Sequence, residues 1–463
     1  MIRFSVGLLL AAALWLTCAR QGHAQRSEDP DEPPVLDLSA LTELAEESYP
    51  SLEAALHRIE AAEARLAEAT ISPYFQFNVT GGVTIAPEAR GTPVFSPDGE
   101  LPLSNTWRPV LRIGVEGAIP IYTFGKLQAL RRAARAGVDA AEGTEAQAKA
   151  QLRFDVRRAY YTLQLALDTL QMISEGERGI ERAVAYMEER IEAEDPEVNE
   201  HDRWRLSTTL AEIQARRSEA ERLDAGARAA LQALTNRANF RIPDCPIEPV
   251  SLEPQPLTEY LRRSRANRPE LDMLRAGLRA RRADLQANEA RYFPDLALAL
   301  RANYSYGPGV DNQSNPFVAD LANQTSLGGA IIARWSLDLW GNAHRVRRSQ
   351  ALLLETEAQA EEARRGIALE VRTTYQAVED ARRREEAWRV GHRDSRRWFV
   401  ASSAAYQVGA LEPRDLVDSV RAYFNARFNH LMAIRDFNTN AASLERVTGR
   451  TVLPPDAWEQ RCE

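Results

Sequence analysis

Lysine is nearly missing from this chain: Lys126 and Lys149 are the only two among its 58 basic residues. The rest are arginines, dispersed among Glu and Asp along helical stretches. With a net charge of -8, the chain offers no basic stripe, and nucleic acid is not an expected partner. Long apolar runs are missing as well. After the N-terminus none approaches the ~20 residues that a membrane-spanning helix requires, so any membrane role falls to strands. Only three cysteines occur, Cys18, Cys245 and Cys462, and none has metal-site spacing. The six histidines are scattered. There is no phosphate-binding Gly-Lys-Ser/Thr loop, no dinucleotide Gly-x-Gly-x-x-Gly and no His pair on one helix face. No enzyme activity, cofactor or metal site is therefore expected.

Residues 1–24 read as a signal peptide: Arg3, the apolar stretch Phe4 to Leu16, then Gly22-His23-Ala24 as a small-x-small cleavage site. A lipoprotein signal wants a small residue just before its Cys and an aliphatic one three before it, and Trp15 fits that pattern badly at Cys18. Residues 25–35 form an acidic, Pro-rich leader. Cleavage leaves Cys245 and Cys462, each in Pro-rich coil after the last helix of its half. In an exported chain these either bridge or remain two free thiols.

The mature chain repeats its plan. After Pro50 come a helix (51–70), a proline (Pro73), an alternating strand, a polar loop, a second strand, Gly125 and a very long helix. Pro269, Pro294 and Gly341 mark the same order again, and Tyr160 matches Tyr375. A period above 200 residues marks a duplicated half-protein, giving a first repeat over 25–250 and a second over 251–463.

Each repeat mixes two periodicities. Phe75, Phe77 and Val79 alternate with Gln76, Asn78 and Thr80; Leu111, Ile113, Val115 and Ile119 alternate with Arg112, Gly114, Glu116 and Ala118. In the second repeat Leu296, Leu298, Leu300, Ala302 and Tyr304 alternate with Ala297, Ala299, Arg301 and Asn303. Leu327, Ile331, Ala333, Trp335 and Leu337 alternate with Ser326, Arg334, Ser336 and Asp338. Period two over ~10–13 residues suits a barrel strand with one lipid face. Aromatics gather at the strand ends: Tyr74, Tyr122, Phe124, Phe293 and Trp340 toward the helices, Trp107, Tyr304 and Tyr306 toward the loops 87–106 and 307–324. After Gly125 and Gly341, read as backbone joints, helical sequence runs free of proline to Pro196 and Pro413, about 100 Å each. Arg131-Arg132 and Arg347-Arg348, just past the joints, read as solvated helix face. Return helices are predicted near 203–236 and 414–448. Helices this long need coiled-coil partners.

These features together resemble the TolC-like outer-membrane efflux proteins. The carriers are the proline at each helix-to-strand switch, `IPIYTFG` and `WSLDLWG` at each strand-to-helix switch, and `YQVGALEPRDLVDSVRAYFNARFNHLMAIRDFNTNAASLERVTG`. The resemblance covers about residues 36–450. It implies long antiparallel coiled-coil helices forming a periplasmic tunnel, plus four strands per protomer in a homotrimeric twelve-stranded barrel set in outer-membrane lipid. Four strands alone cannot close a barrel, and lipid does not tolerate open edges, so the residues ask for further copies too. The implied role is the passive exit channel of a tripartite efflux or type I secretion system, with a periplasmic adaptor and an inner-membrane transporter as partners. A periplasmic adaptor or structural coiled-coil protein is the rival reading; it would show one helical hairpin beside a lipoyl-like strand region, not a full duplication.

The resemblance also assigns roles at the tip. Val408, Gly409 and Leu411 form the turn expected to contact the adaptor. Asp415 and Asp418, three apart and so on one helix face, are placed on the tunnel interior, where threefold symmetry would stack two carboxylate rings at the constriction. Tyr406 matches a position that hydrogen-bonds across helices to hold the tip shut, with Asp202 as its partner. The first-half tip `RIEAEDPEVNEHDRWRL` departs from the family pattern, as does Leu411, where a basic residue would help to latch the tip.

Overall fold

The computed structural model describes residues 33–74, 76–89, 103–192, 200–312, 320, 322–408 and 410–449, with Leu453 and Trp458. The signal peptide, Phe75, Gly409 and Cys462 lie outside them. Eight helices and four strands are described, and the second half repeats the first element by element. They are α1 (Leu38–Ser48), α2 (Pro50–Ile71), β1 (Phe77–Ala89), β2 (Leu103–Tyr122), α3 (Lys126–Glu192) and α4 (Glu200–Thr235), then α5 (Leu257–Asn267), α6 (Pro269–Glu289), β3 (Asp295–Tyr306), β4 (Gln324–Arg334), α7 (Leu339–Gln407) and α8 (Pro413–Thr448).

The landmark prolines start helices. Pro50 and Pro269 each occupy the first helical turn, after Tyr49 and Arg268 in extended conformation. There the missing N–H is no loss and the fixed φ favours the helix. The structure adds what the periodicity did not show: an 11-residue helix before each proline. The Asp37 side chain caps α1 by accepting from the Ala40 N–H at 2.8 Å, and α5 runs into Arg268.

The long helices have the partners their length demands. α3, of 67 residues, packs on α2, α4, α6 and α8, while α7, of 69 residues, packs on α5, α6 and α8. Their shared core lies about midway along the helices. Val156, Tyr161 and Leu163 of α3, Leu231 of α4, Val371 and Val378 of α7, and Leu444 and Val447 of α8 are all fully buried there. Each large aliphatic side chain so buried contributes about 1.5–3 kcal/mol. The coil that joins the repeats wraps this core: Phe240, Ile242, Ile247, Val250 and Leu252 are buried in it.

The two strand-to-helix switches use different chemistry. At the first, Phe124 (φ 47) and Gly125 (φ 87) are consecutive left-handed residues. Gly125 takes that conformation without penalty, whereas Phe124 bears about 1–2 kcal/mol of strain. Its ring stacks on Phe293 at 5.0 Å and meets Tyr122 edge-on at 4.7 Å. Gly341 corrects the expectation of a matching joint. It lies inside the first turn of α7, where its N–H donates to the Asp338 cap at 3.0 Å. A Cβ at this position would meet the Asp338 carboxylate, which would have to shift. Correspondingly, β4 ends at Arg334, and Trp335, Ser336, Leu337 and Asp338 lie beyond it. The Asp338 cap commits the chain to helix, and the Trp335 indole N–H donates to the Tyr292 carbonyl at 3.1 Å.

Candidate membrane sheet and tunnel

The four strands form one antiparallel sheet in the order β1-β2-β3-β4. Register settles which residues share a face, because directly opposed residues point the same way. Val79 opposes Val115, which opposes Ala302, which opposes Leu327. Ile119 opposes Leu298, which opposes Ile331. Leu111 lies between Val83 and Tyr306. The other face carries Asn78, Glu116 and Arg301 in one row, Thr80, Gly114, Asn303 and Ser326 in the next, then Gly82, Arg112, Ser305 and Gln324. Arg108, Arg112, Glu116, Asp295, Arg301 and Arg334 all belong to this polar face, and the paired rows of the other face hold no charge. A sandwich strand would bury the uncharged face. Here Val79, Val83, Leu327 and Ile331 stand open, with Leu327 at 85% exposure. The outer edges of β1 and β4 have no strand neighbour among the described residues.

β2 is 20 residues long, so the polar loop predicted at 87–106 gives up residues to both flanking strands. Pro109 is tolerated in β2 because that end pairs with β1 alone; pairing with β3 begins at Leu111. Exposed Trp107, Tyr304 and Tyr306 ring one end of the apolar face, and Tyr122, Phe293, Trp335 and Trp340 the other.

Polar ties fix the sheet on the helices. Lys126, at the head of α3, pairs with both carboxylate oxygens of Asp295 at 2.7 Å, which joins the repeats. Arg131 donates to the Tyr74 hydroxyl at 2.9 Å and Arg132 to Gln286 at 2.7 Å. Arg132, Arg347 and Arg348 are exposed, as expected of a solvated face, whereas Arg131 is half-buried against Tyr74.

At mid-height the joining coil is clamped from two helices. Asp168 of α3 accepts the Ile247 N–H at 2.7 Å. Asn438 of α8, fully buried, accepts from the Val250 N–H at 2.9 Å and donates to the Glu248 carbonyl at 2.8 Å. Burial pushes the Asp168 carboxyl up to about 6, against the Ile247 N–H bond and Arg427, which pull it down. Cys245 lies in the same coil and is disulfide-bonded. Its expected partner Cys462 lies outside the described residues. Four residues before it, Trp458 is buried in the same core beneath the Arg157 guanidinium, 4.1 Å from its ring centre. Arg157 in turn pairs with Glu445 at 2.6 Å. A second polar group, Arg268 with Glu270 and Glu370, and Arg446 with Glu370, joins the α5–α6 corner to α7 and α8. Neither the clamp nor this group carries a local sequence signal, because their partners are far apart in the chain.

The tip residues are placed as follows. Tyr406 is half-buried in the last turn of α7, and Val408 caps that helix and is exposed. Leu411 lies in the turn before Pro413 opens α8. Asp415 sits in the first turn of α8, where the helix dipole favours an acid, and Asp418 follows one turn on; both are exposed. Asp202 lies in the first turn of α4; its side chain, and with it any bond to Tyr406, is outside what is described, as are residues 193–199 of the divergent tip. No group of acids, histidines and cysteines with metal-binding geometry occurs among the described residues.

A long helical bundle bearing a four-stranded sheet with one uncharged, girdled face defines a class: membrane channels with a shared barrel and a helical tunnel. The chain belongs to the outer membrane efflux protein family, whose model matches residues 41–193 and 260–450. It is 22% identical over 342 residues to the cobalt-zinc-cadmium resistance protein CzcC of Cupriavidus metallidurans, covering 72% of this chain and 76% of that one. Its fold is similar to the open-state MtrE outer membrane channel of Neisseria gonorrhoeae (TM-score 0.73, 18% identity, 94% of this chain and 95% of that one). It is also similar to CusC (TM-score 0.72, 17% identity, 94% and 97%). As a member of this family it is an outer-membrane efflux channel protein with its helical part in the periplasm.

Proposed function

We propose that this chain is the passive exit duct of a tripartite efflux or type I secretion system. Three copies close a twelve-stranded barrel, β1 of each pairing with β4 of the next. The observation that carries this reading is the sheet: every charged residue of its paired rows lies on one face, while neither edge has a strand neighbour among the described residues. Closure by further copies satisfies both edges and encloses the charges. The repeats, 25–250 and 251–463, then supply alternating segments of one tunnel. The duct performs no catalytic step; an inner-membrane transporter supplies energy and a periplasmic adaptor, meeting Val408, Gly409 and Leu411, bridges the two. A divalent metal cation is the cargo class supported by the name of the Cupriavidus relative and by the acidic pair Asp415 and Asp418. In planar bilayers, protein purified from outer membranes should give discrete conductance steps without nucleotide or ion gradient. A folded preparation that never conducts refutes the reading.

A further inference from the structure

The six histidines look scattered in sequence, but two of them meet between α7 and α8. His392 of α7 and His430 of α8 have ring centres 5.5 Å apart. The Tyr423 ring lies 5.7 Å from His392 and stacks on Phe399 at 5.4 Å. His430 Nε2 stands 3.3 Å from a Glu385 carboxylate oxygen, with both side chains largely buried. His392 Nε2 is wholly buried and has no hydrogen-bond partner.

The charges around His392 are unbalanced. On its own helix, Glu385 is engaged by His430 and lies 3.8 Å from Arg389, and Arg396 also acts on the ring. From α8 come His430 and Arg427, with Tyr423 bonded to Arg427. From α3, Glu175 is engaged by Arg427 at 2.8 Å. Both nearby carboxylates thus have partners already, and a proton added to His392 would find cations and aromatic rings.

We propose that His392, packed against His430, Glu385 and Tyr423, is an acid-released fastener between α7 and α8, and that its release loosens the tip-proximal part of the tunnel. This rests on the exit-duct reading. His392 is 15 residues from the end of α7 at Gln407, about 22 Å above the tip, where parting of the two helices widens the passage. Burial, then His430, Arg427 and Arg396, hold the His392 imidazole below its ordinary value of 6.5. The packed helix pair therefore binds fewer protons than the parted pair. Its packing is at full strength above pH 6.5 and weakens as pH falls below that, until His392 protonates within the packed state.

Hydrogen exchange on the full-length protein in detergent, corrected for the intrinsic pH effect, tests this. Between about pH 7.5 and pH 5.5, protection of α7 and α8 amides near residues 385–430 should fall, by about tenfold for each pH unit of depression at His392. Protection of the mid-height core should not fall, because Asp168 there, held up to about 6, gains stability as the pH drops. His392→Gln, which cannot charge, should abolish the pH effect, and so should His392→Phe, which keeps the ring. Unchanged protection in the wild type, or a pH response that survives in both variants, overturns the fastener. Failure of the duct reading shows separately, as absent bilayer conductance from protein whose exchange still responds to pH.

Discussion

Ile331 lies on the uncharged face of β4, opposite Leu298, which lies opposite Ile119. This row falls between the aromatic groups at the two ends of the sheet, so in the barrel it meets lipid near the bilayer midplane. Ala330, its chain neighbour, is at the same depth but opposes Ala299, which opposes Ala118, on the polar face. Ile331→Arg and Ala330→Arg therefore add the same charge at the same height on opposite sides. An arginine on the lipid face near the midplane costs about 2–4 kcal/mol, roughly 30- to 700-fold in the insertion equilibrium at 1.4 kcal/mol per decade. Three symmetric copies would compound this. On the lumen side the arginine stays hydrated, among small residues with room for it. The assay is the yield of detergent-extracted protein from isolated outer membranes, paired with urea unfolding in lipid. Ile331→Arg should deplete the protein strongly and Ala330→Arg only mildly. Equal losses would refute the facing, and with it the barrel.

Asp168→Asn keeps an acceptor for the Ile247 N–H and removes the buried charge. Because the folded value is raised from 3.8 to about 6, the wild type loses stability as pH rises through that window. The variant should be more stable above pH 6 by up to about 3 kcal/mol, with the gain vanishing below pH 3.8; thermal unfolding at several pH values reads it, and a loss at neutral pH contradicts the burial argument. Asp415→Ala with Asp418→Ala should weaken cation selectivity and block by multivalent cations, as expected for acidic rings in a narrow pore; unchanged selectivity in single-channel recordings would remove these residues from the constriction. Gly409→Trp should leave assembly intact and abolish efflux in cells, and retained efflux would move adaptor docking elsewhere. Non-reducing peptide mapping should recover Cys245 joined to Cys462; a Cys245 peptide linked to anything else, or free, rejects the pairing.

Much of the fold was legible because both of its periodicities are local. The strands could be read from alternation at Phe77–Val79, Leu111–Ile119, Leu296–Tyr304 and Leu327–Ala333, and the helix starts from Pro50 and Pro269. Alternation also continued through Trp335 and Leu337, but the Asp338 cap, a single side chain bonding the Gly341 N–H, ended the strand earlier. The helices α1 and α5 escaped notice because 11 residues hold too few turns to show a period. The clamp on the joining coil depends on Asp168 and Asn438, which reach Ile247 and Val250 across 79 and 188 residues, a distance at which no pattern survives. His392 and His430 were hidden for the same reason: antiparallel packing of α7 on α8, not spacing, brings them together. The tip roles came from resemblance alone, and the residues themselves show only that Asp415 and Asp418 are exposed on one helix face.

The most direct test of the shared-barrel account is native mass spectrometry of the protein extracted from outer membranes without crosslinker. Edges of β1 and β4 that close only on other copies predict a complex of three chains, stable in detergent and split by denaturation. A stable, folded monomer recovered from the membrane would show that four strands suffice, and would contradict the account.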